Sequence, residues 1–232
     1  MGIYHHMNID ALIFDFDGVV ADTEPIHMAG FQEILRPLGI TIGEEQYYEK
    51  YVGFDDRDGF ASILEDHGIE FTDQQLQVWI ADKTRLVKER LGQSVQGIPG
   101  AADIIRQAHQ SGLPLAVCSG ALREEIITAA TTIGVRDCFS VIVSAEDVVR
   151  GKPDPEGYYM ARRLLAEHYR QTVEPARCVV CEDTPHGIAA AREAGMKVCG
   201  LATTHGPEVL AGVDLIIRDF TEIALDDLIA LV

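Results

Sequence analysis

Four short runs of this chain carry residue types that can bind and move a charged group. They are Asp15-Phe16-Asp17-Gly18, Ser119-Gly120, Gly151-Lys152-Pro153-Asp154 and Glu182-Asp183-Thr184. Together they offer two carboxylate pairs, a hydroxyl and an ammonium, the set required by a phosphoryl group handled with a magnesium ion. Mg2+ takes oxygen ligands in near-octahedral geometry, usually one or two carboxylates with water and substrate oxygens. Asp15 and Asp183 suit that task, the Asp17 carbonyl can add a ligand, and Glu182 can bind directly or through water. Without the ion, so many carboxylates would repel a phosphate; with it, and with Lys152, they form an anion trap. Ser119 can donate to a phosphoryl oxygen. The backbone at Gly120 can approach closely because no Cβ intervenes, and a helix starting soon afterwards adds its N-terminal dipole. Each piece alone is weak, since a strand-end aspartate, a Glu-Asp pair and a lysine before proline are all commonplace.

Their weight lies in their order along the elements that must position them. Ile9–Phe14, Leu113–Cys118, Val141–Val143, Cys178–Cys181, Lys197–Leu201 and Asp214–Ile217 are short and almost continuously apolar, as parallel strands covered on both faces should be. Helical patterns lie between them at Ala101–Gln110, Arg123–Ile133, Pro155–His168 and Pro185–Ala194, two of them stopping before Gly134 and Gly195. The alternation predicts an α/β fold, a doubly wound, mainly parallel sheet. In such sheets ligands bind beyond the carboxyl ends of the strands, and each of the four runs comes after a strand. One segment breaks the alternation. From about Asp22 to Val95 only helical stretches show, around His27–Leu35, Asp58–His67 and Asp73–Leu91, where a parallel crossover needs one helix. The expected organisation is therefore a core of residues 1–21 and 96–232 with an inserted helical cap of residues 22–95. The cap is entered near Thr23-Glu24-Pro25 and left near Gly97-Ile98-Pro99-Gly100.

The runs DFDGVVADT, CSGA, GKPDP and CEDTPHG resemble the four ordered motifs of the haloacid dehalogenase-like superfamily. The DTEPIH continuation and the helical insertion are similar to its phosphatase and β-phosphoglucomutase subgroup. The likeness spans nearly the whole chain from Ile9. It implies a Rossmann-like core with a mobile cap, Asp15 as a nucleophile forming an aspartyl phosphate, and Asp17 protonating the leaving oxygen and then activating water. It also implies Ser119 and Lys152 holding the phosphoryl group, and Mg2+ on Asp15, the Asp17 carbonyl and Asp183 with Glu182. The second aspartate, Asp17, separates phosphoryl transfer from dehalogenation, because a departing halide needs no proton. Phosphonate hydrolysis would need a cap lysine forming a Schiff base, and no pattern singles out Lys50 or Lys83.

Other classes fit less well. A formal charge of −18 with no Lys/Arg stripe argues against nucleic acid and against anionic membranes. Apolar runs fall far short of the ~18 residues a bilayer span requires. The opening MGIYHHMNID is too short and polar for a signal peptide, so a cytoplasmic location is expected. Five cysteines without secretory context read as reduced thiols. Cys178 and Cys181 lie in an apolar run, where residues three apart on a strand face opposite ways, so they read as core. A receiver-type signalling domain shares the acceptor aspartate, the carboxylates and the lysine, but needs only ~120 residues and carries no large insertion. The expected activity is hydrolysis of a small phosphorylated metabolite, with sugar phosphomutase as the alternative. After Ser119 come Gly120, Ala121, Leu122 and Arg123, whose alanine and leucine give a second phosphate nothing to bind. In the cap, His27, Arg57 and Lys83 are candidates for substrate contact and equally read as surface charges; Arg57 stands among Asp55, Asp56 and Asp58. Oligomeric state leaves no mark in the sequence.

Overall fold

Apolar strands without alternation can be satisfied only by burial on both faces, and the architecture follows from that. The computed structural model describes residues 8–232, so the reading of MGIYHHMNID as no signal peptide falls mostly outside the described residues. In chain order the elements are β1 (Ala11–Phe14), β2 (Ala21–Asp22), α1 (Glu24–Leu35), α2 (Glu44–Lys50), α3 (Asp56–Asp66), α4 (Asp73–Gln93), β3 (Gln96–Gly97), α5 (Ala101–Gln110), β4 (Leu115–Cys118) and α6 (Arg123–Ile133). Then come β5 (Val141–Val143), α7 (Glu156–Tyr169), β6 (Cys178–Glu182), α8 (Pro185–Glu193), β7 (Lys197–Leu201), β8 (Leu215–Ile217) and α9 (Leu225–Ile229).

Six of the strands form one parallel sheet in the order β5-β4-β1-β6-β7-β8. Every residue of β1, β4, β5 and β6 is buried. The chain winds outward from β1 in both directions, so the strand order reverses beside β1. Phe14 is in register with both Val117 and Cys181, which sets Asp15 level with Cys118 and Glu182. The sheet's core includes Ile13, Ala116, Tyr158, Leu165, Val180 and Val198.

Backbone contacts divide the chain into two compact units: the segment ending at Asp22 with Val95–Val232, and Thr23–Ser94. Asp22 goes with the sheet unit because β2 and β3 pair antiparallel, Asp22 opposite Gln96, a two-stranded ribbon too short to show in the hydrophobic pattern. The inserted unit is helical and has its own core, with Phe31, Leu35, Tyr47, Phe60, Ile63 and Leu64 at its centre. Its α2 carries one buried residue, Tyr47, and so leaves no periodic signature in the sequence. Helix α4 opens with a capping box, the Thr72 hydroxyl and the Gln75 side chain each accepting from the other's backbone N–H.

Candidate active site

Strand order and register bring the four runs to one edge of the sheet, at the carboxyl ends of β1, β4, β5 and β6. Asp15 is buried directly after β1, and Ser119 is buried directly after β4. Lys152 lies on the connection from β5 to α7 and adjoins no strand end, yet its ammonium reaches Oδ1 of Asp15 and Oε1 of Glu182, each at 2.5 Å. The Ser119 hydroxyl is 3.4 Å from Oδ2 of Asp17 and accepts from the Ala121 N–H at 3.0 Å. Gly120 has open space where a Cβ would project.

Glycine is required at two places. The turn after Asp17 needs Gly18 at φ +74, and a Cβ there would lie 2.1 Å from Oδ2 of Asp183. In the first turn of α8, a Cβ on Gly187 would stand 1.6 Å from Oε1 of Glu182. The bare backbone of that turn is the floor on which the Glu182 carboxylate rests. Thr184 caps the same helix, its hydroxyl accepting from the Gly187 N–H at 3.1 Å.

Glu182 is wholly buried and saturated. Its Oε1 accepts from Lys152 and from the Tyr158 hydroxyl at 3.0 Å; its Oε2 accepts from the Asp183 N–H, the Thr184 N–H and the Thr184 hydroxyl at 2.9 to 3.1 Å. Oδ1 of Asp183, in contrast, is buried without a hydrogen-bond partner. An orphaned buried carboxylate oxygen is costly and fits a metal ligand. Asp15, Glu182 and Asp183 each present an oxygen, and these three oxygens lie within 4.8 Å of one another.

The electrostatics point the same way. The Lys152 ammonium is ion-paired with Asp15 and Glu182, and the charges of Asp183 and Asp17 also act on Asp15. Burial pushes the Asp15 carboxyl well above its usual range; Lys152 pulls it back, and Glu182, Asp183 and Asp17 push it up again. Burial and Glu182 raise Asp183 to about 7, against a pull from the Thr204 hydroxyl. Burial alone would lower Lys152, but Asp15 and Glu182 outweigh it and hold the ammonium protonated. The metal-free site carries more negative charge than it can hold ionised, and a divalent cation is what would balance it.

The structure gives the remaining candidates different settings. Arg57 is an exposed surface charge paired with Asp73 at 3.3 Å. Lys83 departs from the surface reading: it is buried in the helical unit, ion-paired with Asp56, 3.1 Å from Nδ1 of His27 and over the ring of Phe31. Burial and the adjacent ammonium hold the His27 imidazole down at about 3, so it is neutral. Lys50 pairs with Asp66 at 2.8 Å. Arg123, just beyond the Ser119 run, is bound to Oδ2 of Asp147 at 2.5 Å and to the Ile142 carbonyl at 3.0 Å. Cys178 and Cys181 are free, buried thiols in β6.

Sequence reasoning missed three contributors. Tyr158 occupies a core position of α7 and carried no polar signal. Gly187 is one glycine in a helical run, whose nearness to Glu182 only the β6–α8 turn reveals. Thr204 lies just after β7, and examining that strand end like the others would have found it.

A family model described as haloacid dehalogenase-like hydrolase matches residues 12–201. A validoxylamine A 7'-phosphate phosphatase from Streptomyces hygroscopicus subsp. limoneus is 31% identical over 211 residues, 91% of this chain and 94% of its own. The fructose-1-phosphate phosphatase YqaB of Escherichia coli is 31% identical over 185 residues, 80% of this chain and 92% of its own. Among solved structures, a point variant of CbbY from Rhodobacter sphaeroides in complex with xylulose-(1,5)bisphosphate superposes with a TM-score of 0.82 at 27% identity, covering 95% of this chain and 99% of that one. With the fold, the strand-end site and these relatives in agreement, the chain belongs to the haloacid dehalogenase-like hydrolases.

Proposed function

We propose that the protein is a Mg2+-dependent phosphatase of small phosphorylated metabolites, sugar phosphates among them, working through an aspartyl phosphate on Asp15. The observation that carries this reading is the buried pairing of Asp15 with Lys152 beside the unpartnered Oδ1 of Asp183. In the first half-reaction a carboxylate oxygen of Asp15 forms a bond to phosphorus as the ester oxygen leaves. Asp17 supplies the proton that the departing alkoxide needs. In the second half, Asp17 takes a proton from water, the water oxygen bonds to phosphorus, and Asp15 and inorganic phosphate separate. Lys152 and Ser119 hold the phosphoryl oxygens. Asp15, the Asp17 carbonyl and Asp183 would hold Mg2+, which supplies positive charge opposite the phosphoryl oxygens. Glu182, with both oxygens engaged, is assigned to fixing Lys152.

Hydrolase is favoured over mutase because Gly120, Ala121 and Leu122, which follow Ser119, offer a second phosphate no hydrogen-bonding side chain, and the next residue, Arg123, is paired with Asp147. Two relatives, named as a validoxylamine A 7'-phosphate phosphatase and a fructose-1-phosphate phosphatase, support the substrate class. Five free thiols accord with a reducing, cytoplasmic setting. Among the described residues no helix is long and apolar enough to cross a membrane.

The test is Mg2+-dependent phosphate release from p-nitrophenyl phosphate, then a screen of phosphorylated metabolites ranked by kcat/KM. Supplying β-glucose 1-phosphate with a bisphosphate activator separates the two chemistries. Glucose 6-phosphate appearing much faster than inorganic phosphate would overturn the hydrolase reading.

A further inference from the structure

The Tyr158 hydroxyl touches none of the groups assigned to bond making, yet it meets the atom through which Lys152 is held. We propose that Tyr158 is a positioning residue of this site: its hydroxyl, 3.0 Å from Oε1 of Glu182, sets how the Lys152 ammonium is shared between Glu182 and Asp15. The inference rests on the phosphatase reading above.

Oε1 of Glu182 has two donors, Lys152 at 2.5 Å and Tyr158 at 3.0 Å, while Oε2 is tied to the backbone and hydroxyl of the turn before α8. The carboxylate therefore has a fixed orientation. Tyr158 and Glu182 are both fully buried, so water does not compete for Oε1. In such surroundings a hydrogen bond to an ionised acceptor is strong, and a missing donor is felt by the remaining one. With the tyrosine donating, part of the Oε1 charge is answered and the ammonium stays between two carboxylates. Without it, Glu182 would draw Lys152 toward itself and away from Asp15, where the phosphoryl group is to be transferred. The lysine on the loop before α7 and the tyrosine on α7 thus meet at one oxygen of Glu182. Gly157, just before the tyrosine, allows this approach: a Cβ there would lie 2.8 Å from Sγ of Cys118 at the end of β4.

A purely structural role is the competing account, since the Tyr158 ring belongs to the hydrophobic core beneath the sheet edge. The two roles reside in different atoms. Packing belongs to the ring, which also lies 5.3 Å below the ammonium, and positioning belongs to the hydroxyl. Tyr158→Phe keeps the first and deletes the second.

The experiment compares wild type and Tyr158→Phe in Mg2+-dependent turnover of p-nitrophenyl phosphate and in inhibition by orthovanadate, an analogue of the transferring phosphoryl group. The expected result is a kcat lowered about 10-fold, a vanadate inhibition constant raised about 10-fold, and a KM changed by less than about 2-fold. The inhibition constant is read on folded enzyme alone, so lost stability does not imitate the effect. A variant matching wild type in kcat and inhibition constant overturns the inference. So does a lower kcat with the inhibition constant unmoved, because that pattern marks a smaller active fraction. Wild-type protein that shows no Mg2+-dependent turnover of any phosphate ester would refute the phosphatase reading, and the inference with it.

Discussion

Replacing Gly187 by alanine sets two effects of known size against each other. Gly187 lies in the first turn of α8, where alanine improves intrinsic helix propensity by up to about 1 kcal/mol. A Cβ at that position, however, would stand 1.6 Å from Oε1 of Glu182, 1.9 Å from its Cδ and 2.4 Å from Oε2. The whole carboxylate must move. It is not a loose side-chain end, because its two oxygens hold Lys152, Tyr158, Asp183 and Thr184 in a buried network. Detaching one partner of a buried ion pair typically costs about 3–5 kcal/mol. The balance is a net loss of roughly 2–4 kcal/mol, or about 5–15 °C in Tm for a chain of this size. With Lys152 no longer fixed, kcat should fall by about 100-fold, the scale of losing one preorganised electrostatic group. Thermal melts with Mg2+ present and p-nitrophenyl phosphate kinetics measure both. Gly187→Ala protein with raised Tm and wild-type kcat would refute the argument that bare backbone supports Glu182.

Five further outcomes are expected. Asp15→Asn, nearly isosteric, should keep its circular dichroism and melting behaviour while losing turnover, and a substantial residual rate would rule out covalent catalysis. Asp17→Asn should lower kcat by ~10²–10⁴-fold, with a smaller loss for substrates whose leaving group needs no proton, such as p-nitrophenolate. In metal-free protein Asp183 is raised from 3.8 to about 7, so the folded state binds the proton more tightly. That contribution to stability is full below about pH 4 and disappears as pH rises through about 7. Melts in EDTA should therefore lose stability over that window, Mg2+ should restore it increasingly toward pH 7 and above, and Asp183→Asn should flatten the dependence. His27 acts with the opposite sign: depressed from 6.5 to about 3, its neutral form contributes stability above about 6.5 that is lost as pH falls toward about 3, and His27→Gln should remove that slope. Arg123→Ala, which breaks a half-exposed pair, should cost no more than about 1 kcal/mol and leave phosphatase kcat/KM nearly unchanged; a large loss would place Arg123 on the substrate.

Much of this protein was legible from residue order alone, for a physical reason. Strands buried on both faces must be continuously apolar, so β1, β4, β5, β6 and β7 announce themselves, and a parallel sheet gathers the residues at their carboxyl ends along one edge. Asp15, Ser119 and the Glu182-Asp183 pair could be located from this because they stand immediately at strand ends. Lys152 was found through its motif although a loop carries it. The helical insertion was legible because its length exceeds the needs of a crossover.

Only tertiary structure decided the contacts that no periodicity encodes. Three kinds of residue are silent in sequence: a tyrosine at an apolar helix position, a glycine whose missing Cβ makes room for a carboxylate, and a lysine whose burial depends on a partner far along the chain. Tyr158, Gly187 and Lys83 are those residues here. Nor could sequence divide the labour between Glu182 and Asp183, adjacent acids of similar chemistry. Their backbone directions at the end of β6 turn one carboxylate into a ring of donors and leave an oxygen of the other buried without one. Sequence determined which chemical groups reach the sheet edge, because strand pattern and spacing are local; which oxygen is free there depends on how α7 and the loop before it pack against the end of β6 and bring Tyr158 and Lys152 to Glu182.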